Sequence, residues 1–144
     1  MKIKSKLSNK VYLSVDFEDF NYDLKRKLGL KPNNKNNVKA LWQSYEIINN
    51  FLESNHGGAK ITFFCTGVLA NKYPNLIKKI SNDGHEIACH YNFHDSVRDE
   101  DLKEFEKNIV LAITALEKQS NNKVTGFRAP YFSLEATDVN HFKI

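Results

Sequence analysis

The chain has 144 residues, 41% of them hydrophobic and 26% charged, with a formal net charge of +4. That length holds one domain with a real core, and that composition excludes a disordered chain. The basic excess sits in Lys2, Lys4, Lys6 and Lys10 and again between Lys25 and Lys39, with no basic stripe interleaved with aromatics. It therefore reads as a solvated lysine surface, and a nucleic-acid partner is not expected.

Met1 to Lys10 is basic and polar, and the apolar run Val11-Tyr12-Leu13 is too short for a signal peptide. No run approaches the length of a membrane span, so a cytoplasmic chain is expected. Val11 to Val15 then reads as a short buried strand ending in acids. Asn21 to Val38 is polar, with Gly29, Pro32 and many asparagines, and is expected to be a surface loop with at most one helical turn. From Val38 to Leu52 apolar residues recur at helical spacing (Leu41, Trp42, Tyr45, Ile48, Leu52), and Gly57-Gly58 closes that helix.

Lys60 to Cys65 is a second strand, rich in β-branched and aromatic residues. Val68 to Asn82 is a second helix with Pro74 near a turn inside it. Glu86 to Cys89 is a third strand. Asp99 to Lys118 is the most regular helix, with Leu102, Phe105, Ile109, Ala112 and Leu116 on one stripe. Val124 to Phe127 is a fourth strand. The two cysteines, Cys65 and Cys89, fall in apolar strands without the spacing of a redox or metal pair, which favours buried free thiols. Strands alternating with helices predict an α/β fold built on a parallel sheet or barrel.

In such folds chemistry gathers at the carboxyl ends of the strands, and three polar clusters fall there. Asp16, Glu18 and Asp19 follow the first strand, His90 and His94 the third, and Arg128 to Tyr131 the fourth. Two neutral imidazoles and a carboxylate are the ligand set of a hydrolytic zinc centre. His90 and His94 converge if the chain turns after the strand, whereas His85 and His90 point to opposite faces, so His85 is expected to pack locally. Asp16 and Glu18 share one side of an extended strand, and Asp19 can swing back once the strand ends. One carboxylate must hold the metal while another stays free as a base, and helix capping would use acids equally well. Arg128 next to Pro130 suits an arginine that pairs with a carboxylate and keeps it ionised.

These segments resemble the polysaccharide deacetylases of the NodB-homology type (carbohydrate esterase family 4). The resemblance rests on Asp16-Phe17-Glu18-Asp19, His90-Tyr91-Asn92-Phe93-His94 and Arg128-Ala129-Pro130-Tyr131. Thr62 to Gly67 and Asp83 to Ile87 resemble the intervening strands, so the likeness runs from about Val11 to Ser133. It implies a partial, distorted (β/α) barrel with about four to five strands, the single N-terminal portion of a catalytic domain over residues 1–144. It also implies a divalent metal, most readily Zn²⁺, held by His90, His94 and Asp19, with Glu18 as the alternative acid.

By the same resemblance Asp16 is the base, Arg128 orients it, and the Tyr131 amide donates to the oxyanion. The implied reaction removes acetyl groups from an N-acetylated sugar or polysaccharide. The alternatives are a related amidohydrolase acting on a small amide, and a catalytically incomplete remnant that binds metal or carbohydrate. The family's general acid is a histidine on a late motif beyond the last residue here, and His141 lacks that motif's setting. A partial barrel exposes strand edges, so self-association is also expected.

Overall fold

The computed structural model describes residues 11–31, 34–98 and 100–144, with the side chains of 34–37 outside that description. The basic start from Met1 to Lys10 and the expected helix boundary at Asp99 fall outside it. Three strands, β1 (Ser14–Phe17), β2 (Thr62–Cys65) and β3 (Glu86–Cys89), form one sheet in the order β1-β2-β3. Both pairings are parallel, which requires a helical crossover between successive strands. Helix α2 (Asn34–Asn55) supplies the first crossover, and α3 (Gly67–Lys72) with α4 (Pro74–Asn82) supplies the second. Helix α5 (Leu102–Ser120) follows β3.

Strand alternation sorts the two faces of the sheet. Phe63 and Cys65 are wholly buried and belong to the same core as Tyr45 of α2, Leu76 and Ile80 of α4, and Leu116 of α5. All the long helices therefore cover one face, as the wall of a barrel does. On the opposite face Phe64 is only half-buried, capped by the Arg128 guanidinium at 3.9 Å from its ring centre. Gly67 lets α3 meet α5: a Cβ there would come within 2.6 Å of the Ala112 Cα and 2.7 Å of the Asn92 Oδ1. Among the described residues no helix is long and apolar enough to cross a membrane.

Three local differences from the sequence expectation have physical causes. The stretch expected to be a loop from Asn21 contains an eight-residue helix, α1 (Phe20–Lys27). It buries only Asp23, so no apolar stripe announces it. It forms because the Asp19 carboxylate accepts from the Tyr22 amide at its start, and Lys25, Arg26 and Lys27 suit its negative end.

The single helix expected from Val68 to Asn82 breaks at Tyr73, which takes an extended φ of −129° before Pro74 opens α4. The expected fourth strand reduces to one parallel bridge between Cys89 and Phe127. Its backbone bonds are Cys89 N–H to the Gly126 carbonyl at 2.8 Å and Arg128 N–H to the Cys89 carbonyl at 2.9 Å. The amide of Val124 is drawn away to the Glu117 carboxylate at 3.1 Å, which keeps the rest of that segment out of the ladder. The histidine expected to pack locally does so: His85 is buried, accepts from the Ile61 amide and meets the Asn49 side chain at 3.0 Å.

A candidate metal centre at the strand ends

Parallel register brings the ends of β1, β2 and β3 level, with Phe17, Cys65 and Cys89 as partners. The residue after each strand end therefore opens onto one rim. His90 follows β3 directly, its amide donating to the Cys65 carbonyl at 2.8 Å, and its side chain is only 2% exposed. Tyr91 then turns the chain through a positive φ of 66°, which sends its ring onto Phe105 of α5 and leaves His94 to come back over the rim. The two imidazole centres are 5.2 Å apart.

The tautomer of His90 follows from one contact. Its Nδ1 lies 2.8 Å from the Arg128 carbonyl oxygen, which can only accept, so Nδ1 carries the proton. Its Nε2 is buried, without a hydrogen-bond partner and 4.0 Å from the Asp16 Oδ2. A ring nitrogen fixed in this way by a carbonyl on its far side has the orientation of a metal-binding histidine. Glu18 presents the matching acid. Its Oε1 lies 3.5 Å from the His94 Nε2, and its Oε2 is buried with no partner.

Burial, then the neighbouring charges of Asp23 and Asp16, push the Glu18 carboxyl up to about 7. Burial and the adjacent His90 hold His94 below its ordinary value. A His94 imidazole held below its ordinary value and carboxylates crowded against Glu18 make a field that a cation relieves. The donor set thus fits a divalent cation of the zinc type, although among the described residues no three acids, histidines or cysteines are drawn into a closed ligand cluster.

The two acids that the sequence offers as ligand, Asp19 and Glu18, sit differently. Asp19 is 4% exposed, and its Oδ1 accepts from the Tyr22 amide at 3.0 Å while Oδ2 accepts from the Tyr73 hydroxyl at 2.9 Å. Both oxygens thus serve the fold, and Glu18 is the acid that reaches His94. Asp16 lies on the open face, its Oδ1 held at 2.5 Å by the Arg128 Nη1. Arg128 also donates to the Ser14 hydroxyl at 2.7 Å, so β1 supplies both anchors of the guanidinium.

Tyr131 and Phe132 take positive φ of 57° and 51°, a sharp bend that sets the Tyr131 ring edge-on to His94 at 4.5 Å. His141, by contrast, rests against Phe105 at 4.8 Å, in the helix layer. Sequence reasoning missed Asp23, Arg26, Lys27 and Asp95, which border the rim. Asp23 and Arg26 at helical spacing, and an acid directly after His94, were the available signals.

A sequence profile described as polysaccharide deacetylase matches residues 43–142, more than half of the chain. Over 72 residues the chain is 32% identical to a peptidoglycan-N-acetylglucosamine deacetylase of Bacillus cereus, an alignment covering 50% of this chain and 26% of that protein. The solved peptidoglycan deacetylase of Bacillus subtilis superposes with a TM-score of 0.65 at 20% identity, over 94% of this chain and 57% of its own. A CE4 family pseudoenzyme from Bacillus anthracis superposes with a TM-score of 0.61 at 22% identity, over 67% of this chain and 34% of its own. The match to that Bacillus cereus protein spans about a quarter of its length. By this match, and with a parallel sheet and helical wall in agreement, the chain belongs to the polysaccharide deacetylase family.

Proposed function

We propose that this chain carries the metal site of a carbohydrate N-deacetylase, with Glu18, His90 and His94 as ligands of a zinc-type cation. The observation that carries the reading is the pair of orphaned donors, the His90 Nε2 and the Glu18 Oε2, buried beside His94 at the strand ends. The acetamide of an N-acetylated sugar is the substrate class, in keeping with the deacetylase of Bacillus cereus that the chain resembles.

When bound, such a cation supplies Lewis acidity at the acetyl carbonyl and makes water acidic enough to attack it near neutral pH. Asp16 accepts the proton of the attacking water. Its Oδ1 is occupied by Arg128, so Oδ2, turned towards His90, is the basic atom. Arg128 orients Asp16 through a charge-assisted bond. The Tyr131 backbone amide donates to the oxyanion. His90 is held to the correct tautomer by the Arg128 carbonyl, so one residue orients both the base and a ligand.

Elemental analysis and acetate release test this together. Chain purified without added metal should hold close to one zinc, lost in His90→Ala and His94→Ala. Asp16→Asn should keep the zinc and lose acetate release from N-acetylglucosamine oligomers. A chain without zinc, or an Asp16→Asn variant with unchanged turnover, overturns the proposal.

A further inference from the structure

Helix α1 does more than fill a connection. Its last turn grips three consecutive residues of the histidine loop. The Arg26 Nη2 donates to both carboxylate oxygens of Asp95 at 2.7 and 2.8 Å, and its guanidinium lies 4.5 Å from the centre of the Phe93 ring. Lys27 donates to the His94 carbonyl oxygen at 2.9 Å and to the Tyr131 hydroxyl at 3.1 Å. Behind Arg26 stands Asp23, 4% exposed, which accepts from the Arg26 Nε and Nη2 at 3.2 Å and keeps its other oxygen buried without a partner. One guanidinium therefore bridges a buried acid beside Glu18 and the residue next to His94.

We infer that Arg26 is a positioning residue, which sets the His94 imidazole against Glu18 by clamping Asp95 to α1. This rests on the metal reading above. The alternative, a tether that only adds stability, fits the geometry less well. The side chains of Arg26 and Asp95 are 30% and 37% exposed, and ion pairs so placed add little to overall stability. What the pair does supply is a fixed position, because the one Nη2 that holds both Asp95 oxygens is itself held, together with Nε, by the buried Asp23 Oδ1. Residues that orient a ligand from behind change metal affinity by about 10- to 100-fold when removed.

The test uses the full chain and zinc alone, with affinity read by competition against a chromogenic chelator and unfolding measured on the metal-free protein. Arg26→Ala and Asp95→Asn should each bind zinc about 10-fold or more weakly, with the unfolding midpoint of Asp95→Asn close to that of the parent and that of Arg26→Ala lowered by the loss of the buried Asp23 partner. Arg26→Lys, which keeps the charge but not the fork, should fall between them. Amide exchange at His94 and Asp95 should also quicken in metal-free Arg26→Ala. Should Arg26→Ala fail to fold, Asp95→Asn carries the same comparison with almost no change of shape. If the parent binds zinc and both variants match it within about twofold, the positioning role is overturned alone. A parent chain that binds no zinc overturns the metal reading and this inference with it.

Discussion

Replacing Glu18 by glutamine should stabilise the metal-free chain at alkaline pH and destroy its capacity for zinc. The Glu18 carboxyl ordinarily ionises at 4.5 and is pushed up to about 7, first by burial and then by Asp23 and Asp16. The folded chain therefore keeps a proton that the unfolded chain has released between those two values. Folding stability falls as pH rises from 4.5 to about 7 and is flat above that window. At about 1.4 kcal/mol for each tenfold change, that displacement corresponds to roughly 3 kcal/mol. The Glu18 side chain keeps 18% of its surface in solvent, and screening there brings the expected figure to about 2 kcal/mol.

Glutamine keeps the shape and cannot ionise, so Glu18→Gln should lack this fall. Urea unfolding in the presence of a chelator should show a small gap at about pH 5 and a gap of about 2 kcal/mol in favour of the variant at about pH 8. Zinc reverses the order: at about a hundred times its dissociation constant it adds about 2.7 kcal/mol to the parent, and to the variant almost nothing. A gap of equal size at both pH values, or a variant less stable than the parent at pH 8 without metal, would refute the electrostatic reading of Glu18.

Asp19→Ala separates the two acids. It removes a helix cap and strips the Tyr73 hydroxyl of its acceptor, a loss of about 2–4 kcal/mol in urea unfolding, while zinc per folded chain stays the same. Loss of zinc from folded Asp19→Ala would return Asp19 to the ligand set. Gly67→Ala should cost about 1–3 kcal/mol, because the new methyl meets the Ala112 Cα at 2.6 Å, and an unchanged urea midpoint would show that α3 and α5 can part freely. Cys65 and Cys89 are wholly buried, with their thiols pushed up by burial, Cys89 to about 12. A thiol reagent at about pH 8 should label neither in the native chain and both in denaturant, and rapid native labelling would contradict their placement.

Strands β2 and β3 were legible because their signal is local, whereas β1 runs from Ser14 to Phe17 and the Val11 to Leu13 run expected to be buried is exposed. Phe63 and Cys65 alternate with Thr62 and Phe64, and β3 occupies the residues Glu86 to Cys89 that its apolar run marks. Helix α5 was equally plain from its stripe, with Phe105, Ala112 and Leu116 buried. Helix α1 was illegible for the converse reason. Its buried residue is an acid, and the cap and the ion pairs that fix it against a loop far along the chain leave no hydrophobic period. The break at Tyr73 was marked by Pro74, yet the expectation ran one helix through it.

The sequence by itself determined the family, the α/β architecture and the placing of three polar clusters at strand ends, because hydrophobic period and motif order are properties of short segments. It also determined that His90 and His94, and not His85, would be the pair to meet. Only the tertiary structure distinguishes the surroundings of Glu18 from those of Asp19. The two are adjacent in the chain and alike in chemistry. Their difference arises where α1 begins: Asp19 caps that helix and bonds Tyr73, and Glu18 is left facing His94. Likewise only the fold brought Arg26 to Asp95 and the Arg128 carbonyl to His90, since such contacts join residues that no local pattern connects.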